Sequence, residues 1–184
     1  MRLIALLTLL FGVHSLASAQ TRAVDFPLDS ATHLVTYSGV VPRPGAPKAE
    51  LYALAKRWFT AVFSIPNGES VSFNEAAGTL EGTQHRYYNN TIGGSAVPQT
   101  SILWYTVRAA VKDGQYSYSI SQFRLAKYPG NPTPYLPAGP IEAFILAHPA
   151  NHFLRDLTDQ QRQHVEAAVE NFLLNFNGNM KRKP

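Results

Sequence analysis

The chain has 184 residues, no cysteine, and 16 Lys+Arg against 12 Asp+Glu. That length allows one domain of ordinary size with its own core, and the absence of cysteine excludes a disulfide framework. Arg2 lies in the first stretch and Lys181, Arg182 and Lys183 sit together at the other end; without these four the balance is 12 against 12, so the basic character is a tail effect and speaks against a nucleic-acid groove.

Met1-Arg2 is a short positive n-region, Leu3 to Val13 is an apolar h-region too short to span a bilayer comfortably, and Ala17-Ser18-Ala19 is a small-x-small cleavage site. The expectation is a signal peptide over residues 1–19 with Gln20 as the mature N-terminus, and export to the periplasm or the medium. No cysteine stands near the cleavage site to carry a lipid anchor, and no later segment approaches transmembrane length.

Gln20 to Ser30 reads as a loosely ordered lead-in. Thr32 to Val41 is rich in β-branched and aromatic residues and predicts a first strand, with Val35, Tyr37 and Val41 on one face and Gly39 as a bulge or close contact. Pro42-Arg43-Pro44-Gly45 ends it. Pro47 to Phe63 is the clearest helix, because Leu51, Leu54, Ala55, Trp58, Phe59 and Val62 recur at helical spacing. Its stripe is expected on the apolar face of the hairpin that follows, with Trp58 as the largest contributor. Glu69 to Ala76 contains a short strand with Val71 and Phe73 on one side, and Gly78 to Asn89 a more polar one with Leu80, Tyr87 and Tyr88. Asn90 to Thr100 is a Gly- and Pro-containing loop.

Ser101 to Leu125 is a β-hairpin around Asp113-Gly114, a pair suited to a type I′ turn with φ > 0 at both central residues. The turn sets Lys112 against Gln115; beyond it Val111 against Tyr116, Ala109 against Tyr118, Val107 against Ile120 and Tyr105 against Gln122 share one face, with Arg108 against Ser119 and Trp104 against Phe123 on the other. One face is apolar and the other largely polar. Five prolines between Tyr128 and Pro140 exclude an interior strand or helix and read as an extended surface crossing. Ile141 to Leu154 leaves open a short helix broken at Pro149. Thr158 with Gln161 forms a capping box that opens a last helix, Val165, Ala168, Val169, Phe172, Leu173 and Phe176 form its stripe, and Gly178 suits its C′ position.

The expected architecture is α+β: a curved antiparallel sheet packed by an N-terminal and a C-terminal helix, in the order β-α-β-β-β-β-α. Its organisation is a domain over 31–127, a proline-rich crossing over 128–157, the C-terminal helix over 158–178 and a basic tail over 179–184.

YSGVV followed by ELYALAKRWF, then VSFNEAAGTLEG, then VKDGQYSYSISQF resemble a family of secreted bacterial domains of unknown function (family 4468) with a fold like that of the TATA-binding protein. The resemblance covers roughly Leu34 to Leu125. It implies that fold, and it brings no catalytic residues, cofactor or partner; the fold name is a comparison of shape.

Few constellations carry chemistry. His148 and His152 have a spacing that can serve zinc on a helix, but Pro149 lies between them and no glutamate stands where a general base is needed. His85 and His33 have carboxylates such as Glu81 or Asp113 to pair with, but no Gly-x-Ser-x-Gly elbow supports a nucleophile. Ser117, Ser119 and Ser121 alternate as a solvated strand face does. Glu75 and Glu81 flank a turn. No metal site, cofactor or catalytic group is expected. Trp104, Phe123, Ile102 and Leu125 are expected to cluster at one end of the polar sheet face, with Arg108 as a polar anchor. Two arrangements compete there: an exposed patch for a ligand or partner, or a patch covered by the crossing or the last helix. The resulting expectation is an exported, non-enzymatic binding module of the bacterial cell envelope. The alternatives are an envelope-acting enzyme using His85 or His148 and His152, and a carrier of a small apolar ligand between helix and sheet.

Overall fold

The computed structural model describes residues 26–63, 70–90, 99–127, 139–145 and 152–181. The elements are β1 (Tyr37–Pro42), α1 (Lys48–Phe63), β2 (Ser70–Asn74), β3 (Thr79–Asn90), β4 (Gln99–Lys112), β5 (Gln115–Lys127), β6 (Gly139–Pro140), α2 (Glu142–Ile145) and α3 (His152–Met180). The strands form one antiparallel sheet in the order β1-β5-β4-β3-β2, with β6 paired to the far end of β5. The α+β class and the two flanking helices are as expected.

The β4–β5 hairpin has the expected register from Lys112↔Gln115 to Thr106↔Ser121. Its turn differs. Gly114 has φ 71°, but among the described residues only His33 and Gln122 are non-glycine positions with positive φ, so Asp113 is not left-handed and the turn is not type I′. The cause lies outside the hairpin. Asp113 Oδ1 accepts the Lys48 N–H at 2.6 Å, satisfying a free donor at the start of α1. Gly114 N–H donates to Ala46 O (2.9 Å), and Arg43 N–H donates to Gly114 O (2.7 Å). The turn is shaped by its contract with the β1–α1 connection.

Beyond Thr106 the register shifts to Trp104↔Arg124, Leu103↔Leu125 and Ile102↔Ala126. Gln122, at φ 57°, is the extra residue of a β-bulge, so Tyr105 stands opposite both Gln122 and Phe123. The bulge reverses the alternation of β5. Phe123 and Leu125, expected beside Trp104 on the polar face, point instead into the core, each 1% exposed. Phe123 meets the rings of Tyr37 and Tyr105, both at 6.0 Å. Burial of a large apolar side chain, roughly 1.5–3 kcal/mol, outweighs the cost of one left-handed glutamine, roughly 1–2 kcal/mol.

Both long helices cover one face of the sheet. Leu51, Leu54, Ala55, Phe59 and Phe63 of α1 and Val165, Val169, Phe172 and Phe176 of α3 are buried there against Leu80, Val107, Val111 and Ile120. The ring neighbours of Trp58 are helical rather than in the hairpin: Phe59 (5.5 Å), Phe63 (5.8 Å), Phe172 (5.3 Å) and Phe176 (5.0 Å). Gly39 is a close contact, since a Cβ there would lie 2.6 Å from the Tyr118 hydroxyl.

α3 is longer than expected at both ends. It starts at His152, so Thr158 lies inside it, and it runs through Gly178 to Met180. Met180 is fully buried, and that anchor offsets the helix-interior glycine, which costs about 1 kcal/mol. The stretch 128–157 accordingly holds β6, α2 and the first turn of α3. Part of the lead-in is tied down as well: Phe26 is buried, the Arg162 guanidinium lies 5.7 Å over its ring, and Leu28 bridges to Val35. The expected signal peptide (1–19) and the prolines between Tyr128 and Pro137 lie outside the described residues. No helix of the described residues is long and apolar enough to cross a membrane.

Candidate functional site: the open face of the sheet

With α1 and α3 on one face, every second strand residue points to the other. Ser117 and Ser119 of β5, Arg108 and Ala110 of β4, Thr79 and Glu81 of β3, and Ser72 and Asn74 of β2 line a trough of about 590 Å³. Its lining follows from the alternation of the strands, because side chains at i, i+2 and i+4 share a face.

Arg108 and Glu81 stand directly opposite across β3 and β4. Arg108 Nε donates to Glu81 Oε2 at 2.5 Å, with the two side chains 44% and 45% exposed. A guanidinium and a carboxylate in the floor of the trough offer donors and an acceptor side by side with no net charge. The hydroxyls of Thr83 and Thr106 meet at 3.4 Å further along the same strands.

Trp104 is the next residue of the same face beyond Thr106, about 13 Å along the strand from Arg108 at roughly 3.3 Å per residue. It is partly buried. His85, its cross-strand partner, packs on it with ring centres 4.6 Å apart, and Tyr87 meets His85 edge-on at 5.0 Å. Tyr87 is 54% exposed. Of the three expected site residues the structure therefore brings Trp104 and Arg108 to one face and sends Phe123 to the other. The aromatic neighbours of Trp104 are His85 and Tyr87 on β3; their odd-number alternation with Glu81 and Thr83 was visible in the sequence, but their match to Trp104 depends on the β3–β4 register.

The remaining expected groups scatter. His33 sits in a turn at φ 56°. Beside it Asp29 Oδ1 accepts from Ala31 N–H, Thr32 N–H and the Thr32 hydroxyl, bonds that hold its carboxyl below the ordinary value. His152 opens α3, and His148 lies outside the described residues. Among the described residues no group of three or more His, Cys, Asp or Glu could hold a metal ion.

A second polar cluster lies under α3, on the covered face. Asn90 and Gln161 are buried at 0% and 1% exposure. Asn90 Oδ1 accepts from Gln161 Nε2 (2.7 Å) and lies 3.1 Å from His164 Nε2, while Asn90 Nδ2 donates to Ser101 Oγ (2.8 Å). The Tyr88 and His164 rings stack at 4.2 Å and 16°. Burial pushes the Tyr88 phenol up to about 12 and holds the His164 imidazole below its ordinary value. Sequence patterning missed this cluster, because His164 and Asn90 are 74 residues apart.

A family model described as a domain of unknown function (DUF4468) with TBP-like fold matches residues 37–126. Two crystal structures are similar. One is a TBP-like protein from Parabacteroides distasonis ATCC 8503, 16% identical with a TM-score of 0.60, the match covering 86% of this chain and 99% of that one. The other is a DUF4468 family protein from Bacteroides ovatus ATCC 8483, 17% identical with a TM-score of 0.65, covering 88% and 92%. At such identities the likeness is one of fold. No curated protein matches the chain. Residues 37–126 form a DUF4468 domain with a TBP-like fold, the family and fold that the sequence resemblance implied.

Proposed function

We propose that the protein is an exported, non-enzymatic binding module of the bacterial cell envelope that takes a polar ligand on the open face of the sheet. The observation that carries this reading is the asymmetry of the sheet: two helices close one face, while the other presents the trough with Arg108 and Glu81 in its floor. Hydroxyl side chains and a neutralised ion pair suit a ligand rich in hydroxyl and amide groups and of low net charge. They do not suit a polyanion, because Arg108 is already paired with a carboxylate. The carrier alternative has no comparable support, since the rings of Trp58, Phe59, Phe63, Phe172 and Phe176 pack on one another between the helices and the sheet.

The test is sedimentation with purified cell-wall sacculi, repeated with Arg108→Ala/Glu81→Ala. In parallel, a Trp58→Phe variant leaves Trp104 as the one tryptophan, and iodide quenching reports its cover. The expected result is cosedimentation of the wild type, loss in the double variant, and weaker quenching of Trp104 when sacculi are present. Cosedimentation that survives the double variant would place the ligand elsewhere, and no cosedimentation would remove the envelope reading.

A further inference from the structure

α3 is held on the sheet in two chemically different ways. Toward its C-terminus, Phe172 and Phe176 stack on each other at 5.2 Å and meet Trp58, Tyr116 and Tyr118. Those contacts contain nothing that titrates near neutral pH. Two turns earlier, Gln161 and His164 reach β3 and β4 through the buried amide of Asn90.

The hydrogen-bond pattern fixes the proton on one ring nitrogen of His164. A side-chain amide oxygen only accepts, so the Nε2 that meets Asn90 Oδ1 carries a proton, and the site that can still gain one is Nδ1. Tyr88 covers one face of the ring, and burial, which holds the imidazole below its ordinary value, favours the neutral form with the lone pair on Nδ1. Protonation would add a second N–H and a full charge to this cluster.

We propose that His164 is an acid-sensitive latch: when it is protonated, the N-terminal half of α3 lets go of β3 and β4 while the aromatic half stays on the sheet. The surroundings favour release over capture of the charge. β3 presents Tyr88 and Asn90, with the cation Arg86 next along the strand, and β4 presents Ser101 and Tyr105. On α3 itself the neighbours are Gln161, Gln160 and Arg162, the last paired at 4.0 Å with Asp159. On α2 the Glu142 carboxylate is taken by the Val35 N–H at 2.8 Å. α1 meets α3 through Trp58 and Phe59, and its Lys56 and Arg57 are exposed. Among the described residues no carboxylate faces the imidazole, and burial is the cause that depresses its pKa from 6.5. The sign follows: the latch is fully closed above the unfolded value of 6.5 and is lost as pH falls through the lower folded value.

Hydrogen exchange of the full chain at about pH 7.5 and about pH 5, with times scaled for intrinsic exchange, reads this directly. Peptides over 158–166 should gain exchange in acid, by about tenfold for each unit that separates the two pKa values, while peptides over 170–180 should not. His164→Gln, which retains a donor and cannot be charged, should abolish the acid response. Both halves loosening together, neither loosening, or an unchanged response in His164→Gln would each overturn the latch. A titration of His164 by NMR in the wild type gives a second reading that needs no variant. A value at or above 6.5 would mean that the imidazolium has found an acceptor, for which Gln161 Oε1, buried and without a donor, is the candidate, and the latch would fail.

Discussion

The two faces of the sheet are made by the same strands and follow different rules. On the covered face β4 contributes Leu103, Tyr105, Val107, Ala109 and Val111, all at most 3% exposed. On the open face the same strand contributes Arg108 and Ala110, which line a trough, and beyond them Thr106, which is buried against Thr83. Side chains on the first face are chosen by volume and by complementarity to the helices. Those that line the trough are free of that demand, so the half-exposed cross-strand arginine–glutamate pair there is available for contact with something else. Stability and binding should therefore separate by face.

The largest expected effect lies in the covered face. Phe176 is fully buried and meets the rings of Trp58, Phe59, Tyr116 and Phe172 at 5.0–5.9 Å. Phe176→Ala should cost about 3–5 kcal/mol, read as a drop in the urea midpoint at unchanged slope. Any of the protein that remains folded should still bind through the trough.

Alkali should attack the same face. Burial raises Tyr37 and Tyr88 from 10.0 to about 12 each, with the Glu166 charge adding to the effect at Tyr37. A raised pKa means stability that is complete below 10 and is lost as pH rises through 12. The urea midpoint should hold steady up to about pH 9.5 and then fall. Burial raises Tyr52 and Tyr116 as well, so Tyr88→Phe, which removes one of four raised phenols, should flatten that fall only in part.

Asp113→Ala tests a contact that belongs to neither face. Removing the acceptor of the Lys48 N–H should cost about 0.5–2 kcal/mol, visible as a lower thermal midpoint. Asp113→Asn, which keeps a side-chain oxygen, should recover most of it.

These cases show what was legible in the sequence. α1 and the hairpin were, because their signals are local: a helical stripe in one, an alternation around Asp113-Gly114 in the other. The fold was legible to the same extent. The site was half legible. Trp104 and Arg108 follow from strict alternation in β4, whereas Phe123 is displaced by a bulge at Gln122. A local trace of that bulge exists: apolar residues fall at 116, 118 and 120, then at 123 and 125, with Ser121-Gln122 between them. Two adjacent polar residues in an otherwise alternating strand mark the shift of phase. Thr158 misled because a capping pair has the same composition inside a helix as at its start. The Asp113 cap and the Asn90–His164 cluster join residues 65 and 74 apart, and nothing local announces them.

The smallest effect on stability carries the sharpest test of the two-face comparison. Arg108 and Glu81 are each almost half exposed, and such a pair contributes about 0–1 kcal/mol, reduced further by salt. Arg108→Ala/Glu81→Ala should leave the urea midpoint nearly where it was while removing binding to sacculi. The single variants sharpen this. Arg108→Ala leaves a carboxylate unopposed in the trough, and Glu81→Ala leaves a guanidinium, so the two should fail toward an uncharged glycan but differ toward charged ones. If Glu81→Ala gained affinity for an anionic wall polymer, the neutral balance of the trough would be what selects its ligand. If the double variant unfolded as readily as Phe176→Ala, the open face would be part of the scaffold, and the division of labour between the faces would be wrong.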